Sequence, residues 1–163
     1  MTGAARAGRT KQVLVVLLVA LAVVLGIVIA RNRPSADQQA VAYRQALMSV
    51  IGGQMQPLSA MQRAERPYDA RLIGEHAANL AALSRMIPEA FERDTSSARS
   101  LQSAALADIW RDHAAFLRSA ARLAASAVGL QRALAAGDAA QVRRALGALS
   151  SECLQCHRGF RAG

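Results

Sequence analysis

Cys153-Leu154-Gln155-Cys156-His157 is the stretch from which this 163-residue chain reads outward. Two thiols three residues apart lie within about one helical turn of each other, and a histidine follows the second directly. Cys-x-x-Cys-His is the attachment pattern of c-type haem. Two thiols add across the two vinyl groups of the porphyrin, and the neighbouring imidazole supplies the proximal ligand to iron. Cys153 and Cys156 are thus the expected covalent contacts, His157 the expected metal ligand, and one haem c the expected cofactor. Two other readings of the cysteine pair stand beside this one. A redox dithiol is expected next to a βαβ pattern, and no strand pattern is found. A structural zinc site wants a second Cys or His pair at short spacing, whereas His76 and His113 each stand alone.

Outward from the motif the chain is rich in Ala, Leu, Gln and Arg, all good helix formers, with proline only at 34, 57, 67 and 88. Four helices are expected. The first spans about 36–63, where Tyr43, Leu47, Val50, Ile51, Met55, Leu58 and Met61 recur at helical spacing, with Pro57 predicting a kink. The second spans about 69–86, with Asp69 placed to help its N-terminus and Pro88 beyond its end. A Ser- and Thr-rich connection follows over 87–102. The third spans about 103–135, and Gly137-Asp138 reads as a C-cap followed by an N-cap. The fourth spans about 139–160 and carries the motif in its last turns. Short connections make the first and second, and the third and fourth, antiparallel neighbours. The expected fold is all-α: an antiparallel four-helix bundle with covalent haem, preceded by one N-terminal transmembrane helix.

That helix is read from residues 13–30, eighteen consecutive apolar or Gly residues, about 27 Å of helix and close to a bilayer's hydrocarbon thickness. Residues 1–12 carry Arg6, Arg9 and Lys11 without an acid and are expected on the cytoplasmic side. A signal-peptide core of 7–15 residues is shorter than this run, which favours an anchor in the inner membrane. Cleavage after Ala30, leaving a soluble periplasmic protein, is the alternative. Either way residues 31–163 are expected in the periplasm, where c-type haem is attached. They hold 17 of the 20 Lys and Arg residues and all 11 carboxylates, a formal +6. Scattered arginines, few aromatics and the compartment argue against nucleic acid.

The pattern resembles the cytochrome c′ family of class II c-type cytochromes. Tyr43-Arg44-Gln45, Arg66-Pro67-Tyr68-Asp69-Ala70, Ile109-Trp110 and Phe160-Arg161 carry the resemblance together with the haem motif, over about residues 40–161. A link between four-helix bundles and cytochrome c′ is also a general one. The resemblance implies that Arg44 and Gln45 contact haem propionates, for which the planar fork of an arginine suits. A solvated helix-face charge is the plainer role for Arg44. The resemblance further implies Arg161 near the proximal haem face, against a frayed terminal charge. Phe160, three residues after His157, is expected against the macrocycle or the core, and Phe91 in the core. His76 and His113 are expected at the surface or the core edge.

Met48, one turn after Arg44, shares its side of the helix. In relatives this position points at the distal side of the iron. Low-spin members place a methionine there as axial ligand, which raises the potential and suits electron transfer. Other members carry a side chain there that packs without bonding, and their five-coordinate iron takes NO or CO. Met as flexible filler fits that second case. Three functions follow: an electron-transfer cytochrome working with redox partner proteins, a binder of NO or CO, and a haem-free structural or metal-binding bundle. No nucleophile–base pair or carboxylate pair marks an enzyme. The oligomeric state stays open: members of the family that the chain resembles often form dimers through the first two helices, and Leu58 or Ile73 fits such an interface or the core equally.

Overall fold

The computed structural model describes residues 3–98 and 100–162, with the side chains of residues 3–13 and 30 outside the description. The chain forms two compact units, Met1–Ser35 and Ala36–Gly163.

The first unit is the helix α1 (Gly3–Arg31). Its large apolar side chains from Leu14 to Ile29 are all exposed. Among the described residues no helix is long and apolar enough to cross a membrane. The expected span 13–30 begins and ends on Val13 and Ala30, whose side chains lie outside the described residues, and the stretch between them falls short of eighteen.

The second unit is helical, and four long helices build it. The first, α2 (Ala36–Gln62), runs unbroken through Gly52-Gly53 and Pro57. The second, α3 (Ala70–Ser84), starts where expected, because the Asp69 side chain accepts from the amide of Leu72 at 3.0 Å. Between them Ala64 adopts φ +58°, a left-handed conformation that costs a residue with a Cβ about 1–2 kcal/mol. Glycine there relieves that cost and adds unfolded-state entropy. Ala64→Gly should therefore raise stability by up to about 1 kcal/mol, and a loss in urea titration would contradict this.

The long connection differs from its expected form in two places. Residues 87–90 are not loop but a one-turn helix, α4 (Ile87–Ala90), because Pro88 falls in the first turn, where its missing N–H costs nothing. The expected third helix over 103–135 is broken. It begins as the short α5 (Asp108–Arg111) and restarts as α6 (His113–Ala135). Asp112 makes the break: its backbone leaves the helical region at φ −122°, and its side chain caps the amide of Ala115 at 3.1 Å. Residues 104–106 are extended for a tertiary reason, described below. The fourth long helix, α7 (Ala139–Phe160), follows Gly137 at φ +72° and is capped by Asp138, which accepts from Ala140 and Gln141.

The long helices close a ring: α6 packs on α7 and α3, and α2 on α3 and α7. Leu47, Ile51 and Leu58 of α2, Ile73 and Leu80 of α3, Phe116 and Leu130 of α6, and Val142 and Leu149 of α7 meet in one core. Complete burial of each such side chain contributes about 2 kcal/mol. Ala77, Ala81, Ala120, Ala127 and Ala133 sit among them, and their small size brings the helix axes close. Leu58 and Ile73 are wholly buried. They belong to the core and are not available to a second copy of the chain.

Candidate functional site

The last three turns of α7 bring the motif to the edge of the core. Cys153 and Cys156, one turn apart, are both free thiols and both half-buried, packed against the core cluster. Burial pushes both thiols up. For Cys153 the neighbouring Cys156 adds to the effect, and for Cys156 the nearby Arg122 opposes it. His157 is exposed. Partial desolvation, and then the Arg161 guanidinium, hold its pKa below the usual histidine value. Both favour the neutral imidazole, the form that binds a metal.

The end of α7 is held from outside the helix. The amide of Leu106 donates to the carbonyl of Phe160 at 3.0 Å, and that of Ala162 to Ala104 at 2.8 Å. Ala105 and Arg161 form an antiparallel bridge. These bonds draw residues 104–106 out of a helix and fasten the turn that follows His157. The backbone of Arg161 is thereby paired and not frayed, while its side chain is exposed. Phe160 is half-buried and meets Phe116 edge-on at 5.4 Å. Phe116 in turn packs on Phe91 at 4.9 Å. Phe91 thus lies in the core, and Phe160 packs against it. His113 stacks on the same Phe116 ring at 6.1 Å, and His76 bonds Gln54 at 2.7 Å, both at the core edge.

Arg44 is only 3% exposed, so it is not a solvated helix-face charge. Its Nε donates to the carbonyl of Ala90 at 2.8 Å and its Nη1 to the Thr95 hydroxyl at 2.6 Å. Its Nη2 donates to the carbonyl of Arg93. The guanidinium lies 5.2 Å from the Phe91 ring centre and 5.0 Å from that of Trp110. Trp110 closes the group by donating its indole N–H to Phe91 O at 2.9 Å. Desolvation lowers the pKa of Arg44, with Asp94 and Asp37 opposing. Gln45, exposed, donates to the carbonyl of Gln102 at 2.7 Å. Both residues to which the resemblance gives the propionates therefore grip the 90–102 connection. Thr95 and the pairing of Arg44 with two rings were not legible in the sequence, because these partners lie 47 to 66 residues away. Arg44→Met keeps the stem and strands three acceptors, each worth about 1–3 kcal/mol when buried. A loss of at least about 3 kcal/mol in denaturant titration is expected, and an unchanged midpoint would show the network to be dispensable.

Met48 is half-buried on α2 and packs on the same core cluster as Cys153 and Cys156. Among the described residues no group of three His, Cys, Asp or Glu side chains is placed to hold a metal ion by itself. The donor set fits haem c: two free thiols at i and i+3, a neutral-leaning imidazole at i+4, and Phe160 and Met48 packed against the same core as the thiols.

A helical bundle with this attachment turn near the end of its last helix is a c-type cytochrome. Residues 39–161 match the family model of cytochrome c′, and the chain belongs to the cytochrome c′ family. Proteins of this family are periplasmic and carry one covalent haem c, and haem c is the cofactor of this chain. Cytochrome c′ of Halomonas halodenitrificans is 34% identical over 128 residues, covering 77% of this chain and 97% of the relative. Cytochrome c-556 of Agrobacterium tumefaciens is 31% identical over 118 residues, covering 72% and 93%. The structure is similar, at TM-score 0.69 and 27% identity, to the nitric oxide complex of a cytochrome c prime variant from Alcaligenes xylosoxidans, covering 80% of this chain and 99% of that one.

Proposed function

We propose that this protein carries electrons in the periplasm, with a methionine-ligated haem and an N-terminal membrane anchor. Haem c supplies a one-electron iron couple when bound. The residues do the rest. Cys153 and Cys156 tie the group to α7, and His157 offers a neutral ring nitrogen from a turn fastened by residues 104–106. Met48 offers a thioether from α2, and Phe91, Phe116 and Phe160 exclude water beside it. Arg44 and Gln45 hold the propionates with N–H groups that their present bonds leave free, a guanidinium having five. Loss of the Arg44 charge should then lower the reduction potential, and an unchanged potential in Arg44→Met would remove that role. The reading makes the protein a carrier and not an enzyme.

The observation that carries it is the half-buried thioether of Met48 in the core that also takes the two thiols. A reduced-minus-oxidised absorption spectrum tests it. A sharp low-spin α band is expected, and a broad high-spin spectrum would overturn it. The second reading, a five-coordinate binder of NO or CO, is favoured by the likeness to a relative solved with nitric oxide.

The anchor rests on α1, whose apolar side chains from Leu14 to Ile29 are exposed on all sides of the helix. A helix apolar all round is a buried or membrane helix. The protein should stay in the membrane fraction through an alkaline carbonate wash. A native N-terminus at Arg31 would show cleavage after Ala30 and refute the anchor.

A further inference from the structure

We propose that the outer face of α6 and α7, at the end that carries Cys153, Cys156 and His157, is the docking face for an acidic electron-transfer protein. The proposal rests on the electron-transfer reading above. Its basis is an uneven distribution of charge. Residues 113–162 hold seven arginines and two carboxylates, a formal +5, whereas residues 36–112 hold eight arginines and nine carboxylates, a formal −1. The positive charge of the bundle therefore sits on the helix pair that includes the attachment turn.

Local pairing sharpens the contrast. Outside α6 and α7, Arg63 pairs with Glu65, Arg71 with Glu75, Arg93 with Asp37 and Arg111 with Asp108. On the α6–α7 pair, Arg122 with Glu152 at 3.0 Å is the one ion pair among the described residues, and the Asp138 carboxylate is engaged in capping α7. Arg118, Arg158 and Arg161 are exposed and have no ion-pair partner among the described residues.

These three arginines gather with Arg122 at one end, while Arg132, Arg143 and Arg144, also exposed, lie towards the other. The Arg122–Glu152 bond sets that edge of α6 against α7. Arg118 lies one turn before Arg122, which in an antiparallel pair brings it level with Cys156. Arg158 follows His157 directly, and Arg161 ends the same helix. Among them stands Leu154, 61% exposed and the only large apolar side chain exposed on α6 and α7 among the described residues. An apolar centre with an arginine-rich surround has the composition of a protein–protein contact. A lipid surface calls for an exposed apolar face of Trp, Phe or Leu beside the basic one, and Leu154 stands alone. Opposite charge on the partner steers the encounter and sets its orientation, and docking here places the partner beside the two thioether positions.

The test uses the full holoprotein in zwitterionic phosphatidylcholine nanodiscs at about 0.1 M ionic strength, where the Debye length is about 10 Å. The probe is oxidised plastocyanin, an acidic blue-copper protein: one electron leaves the reduced cytochrome and reduces Cu(II) to Cu(I), with no proton transferred. Arg118→Glu together with Arg158→Glu should slow the second-order rate about tenfold or more. Arg132→Glu together with Arg143→Glu, at the far end of the helices about 20 Å away, should leave it nearly unchanged. The haem absorption bands report that each variant is folded. Equal slowing by both pairs would overturn the local face in favour of net charge alone. An unchanged rate in the first pair, with loss of its binding to phosphatidylglycerol vesicles, would assign the face to anionic lipid and overturn the proposal. Fast oxidation by the small oxidant hexacyanoferrate(III), with plastocyanin rates indifferent to either pair, would overturn the docking face and leave electron transfer standing. Slow oxidation of the unsubstituted protein by both oxidants would overturn the electron-transfer reading and the face with it.

Discussion

Cys153→Ala combined with Cys156→Ala yields a chain with no covalent haem, seen as the complete loss of the haem stain on a denaturing gel. The two thiols are free and half-buried on one turn of α7, and no other cysteine exists in the chain to replace them. Stability falls as well. A group that binds the native state alone stabilises it by mass action, and covalent attachment makes its effective concentration very high. Removing so large a group from the edge of a close-packed core also leaves a void, and cavities cost stability in proportion to their volume. The double variant should therefore melt far below the holoprotein or fail to accumulate. A haem-stained band at the position of the chain would refute the attachment. His157→Ala separates the roles: both thioethers form, the stain persists, and the proximal ligand alone is lost.

Met48→Ala has the next largest effect, on the electronic state and not on attachment. If the sulfur is an axial ligand, its removal opens a coordination site. The ferric spectrum then moves from low towards high spin, and CO binds the ferrous protein much faster. Fixed six-coordination keeps reorganisation small, so this outcome belongs with electron transfer. If Met48 only packs over the site, the unsubstituted protein is already high spin. The substitution then changes access to the iron and leaves the spin state alone, as gas binding requires. A low-spin protein whose spectrum ignores Met48→Ala would contradict both and transfer control of the distal side to a neighbour such as Gln45. The cost in stability is about 2–3 kcal/mol, that of truncating a buried methionine, reduced because Met48 is only half-buried.

Neither prediction depends on whether the chain is anchored to a membrane. Both depend on how α2 meets α7, and that is where sequence and structure part company. Patterns of period 3.6 locate α2, α3 and α7 to within two residues. Asp69 and Asp138 cap the helices that they precede, and Gly137 takes the positive φ expected of it. These features are local, since a cap or a turn is made by residues three or four apart. The third expected helix failed because its fate was not local. Residues 104–106 have enough helix formers to continue the pattern, yet their amides and carbonyls pair with residues 160–162, more than fifty positions later. Tertiary hydrogen bonds outweigh a propensity of a few tenths of a kcal/mol per residue. The one-turn helix at Ile87–Ala90 was missed in the same way: Pro88 reads as a stop but also suits a first turn.

By itself, then, the sequence determined the cofactor and the all-helical class, and it nominated the three residues proposed to bind haem c, because Cys-x-x-Cys-His places all its chemistry within one helical turn. It also determined the family, since the supporting motifs are short runs such as Tyr43-Arg44-Gln45 and Ile109-Trp110. Only the tertiary structure decided what surrounds those residues. It buried Leu58 and Ile73 in the core, seated the Arg44 guanidinium between Phe91 and Trp110 with three acceptors from the 90–95 segment, and fastened the turn after His157 to residues 104–106. The reason is physical: burial, aromatic stacking and backbone pairing between distant segments depend on which faces meet when four helices close a ring. No local pattern encodes that meeting, because each helix offers an apolar stripe that fits several partners about equally well.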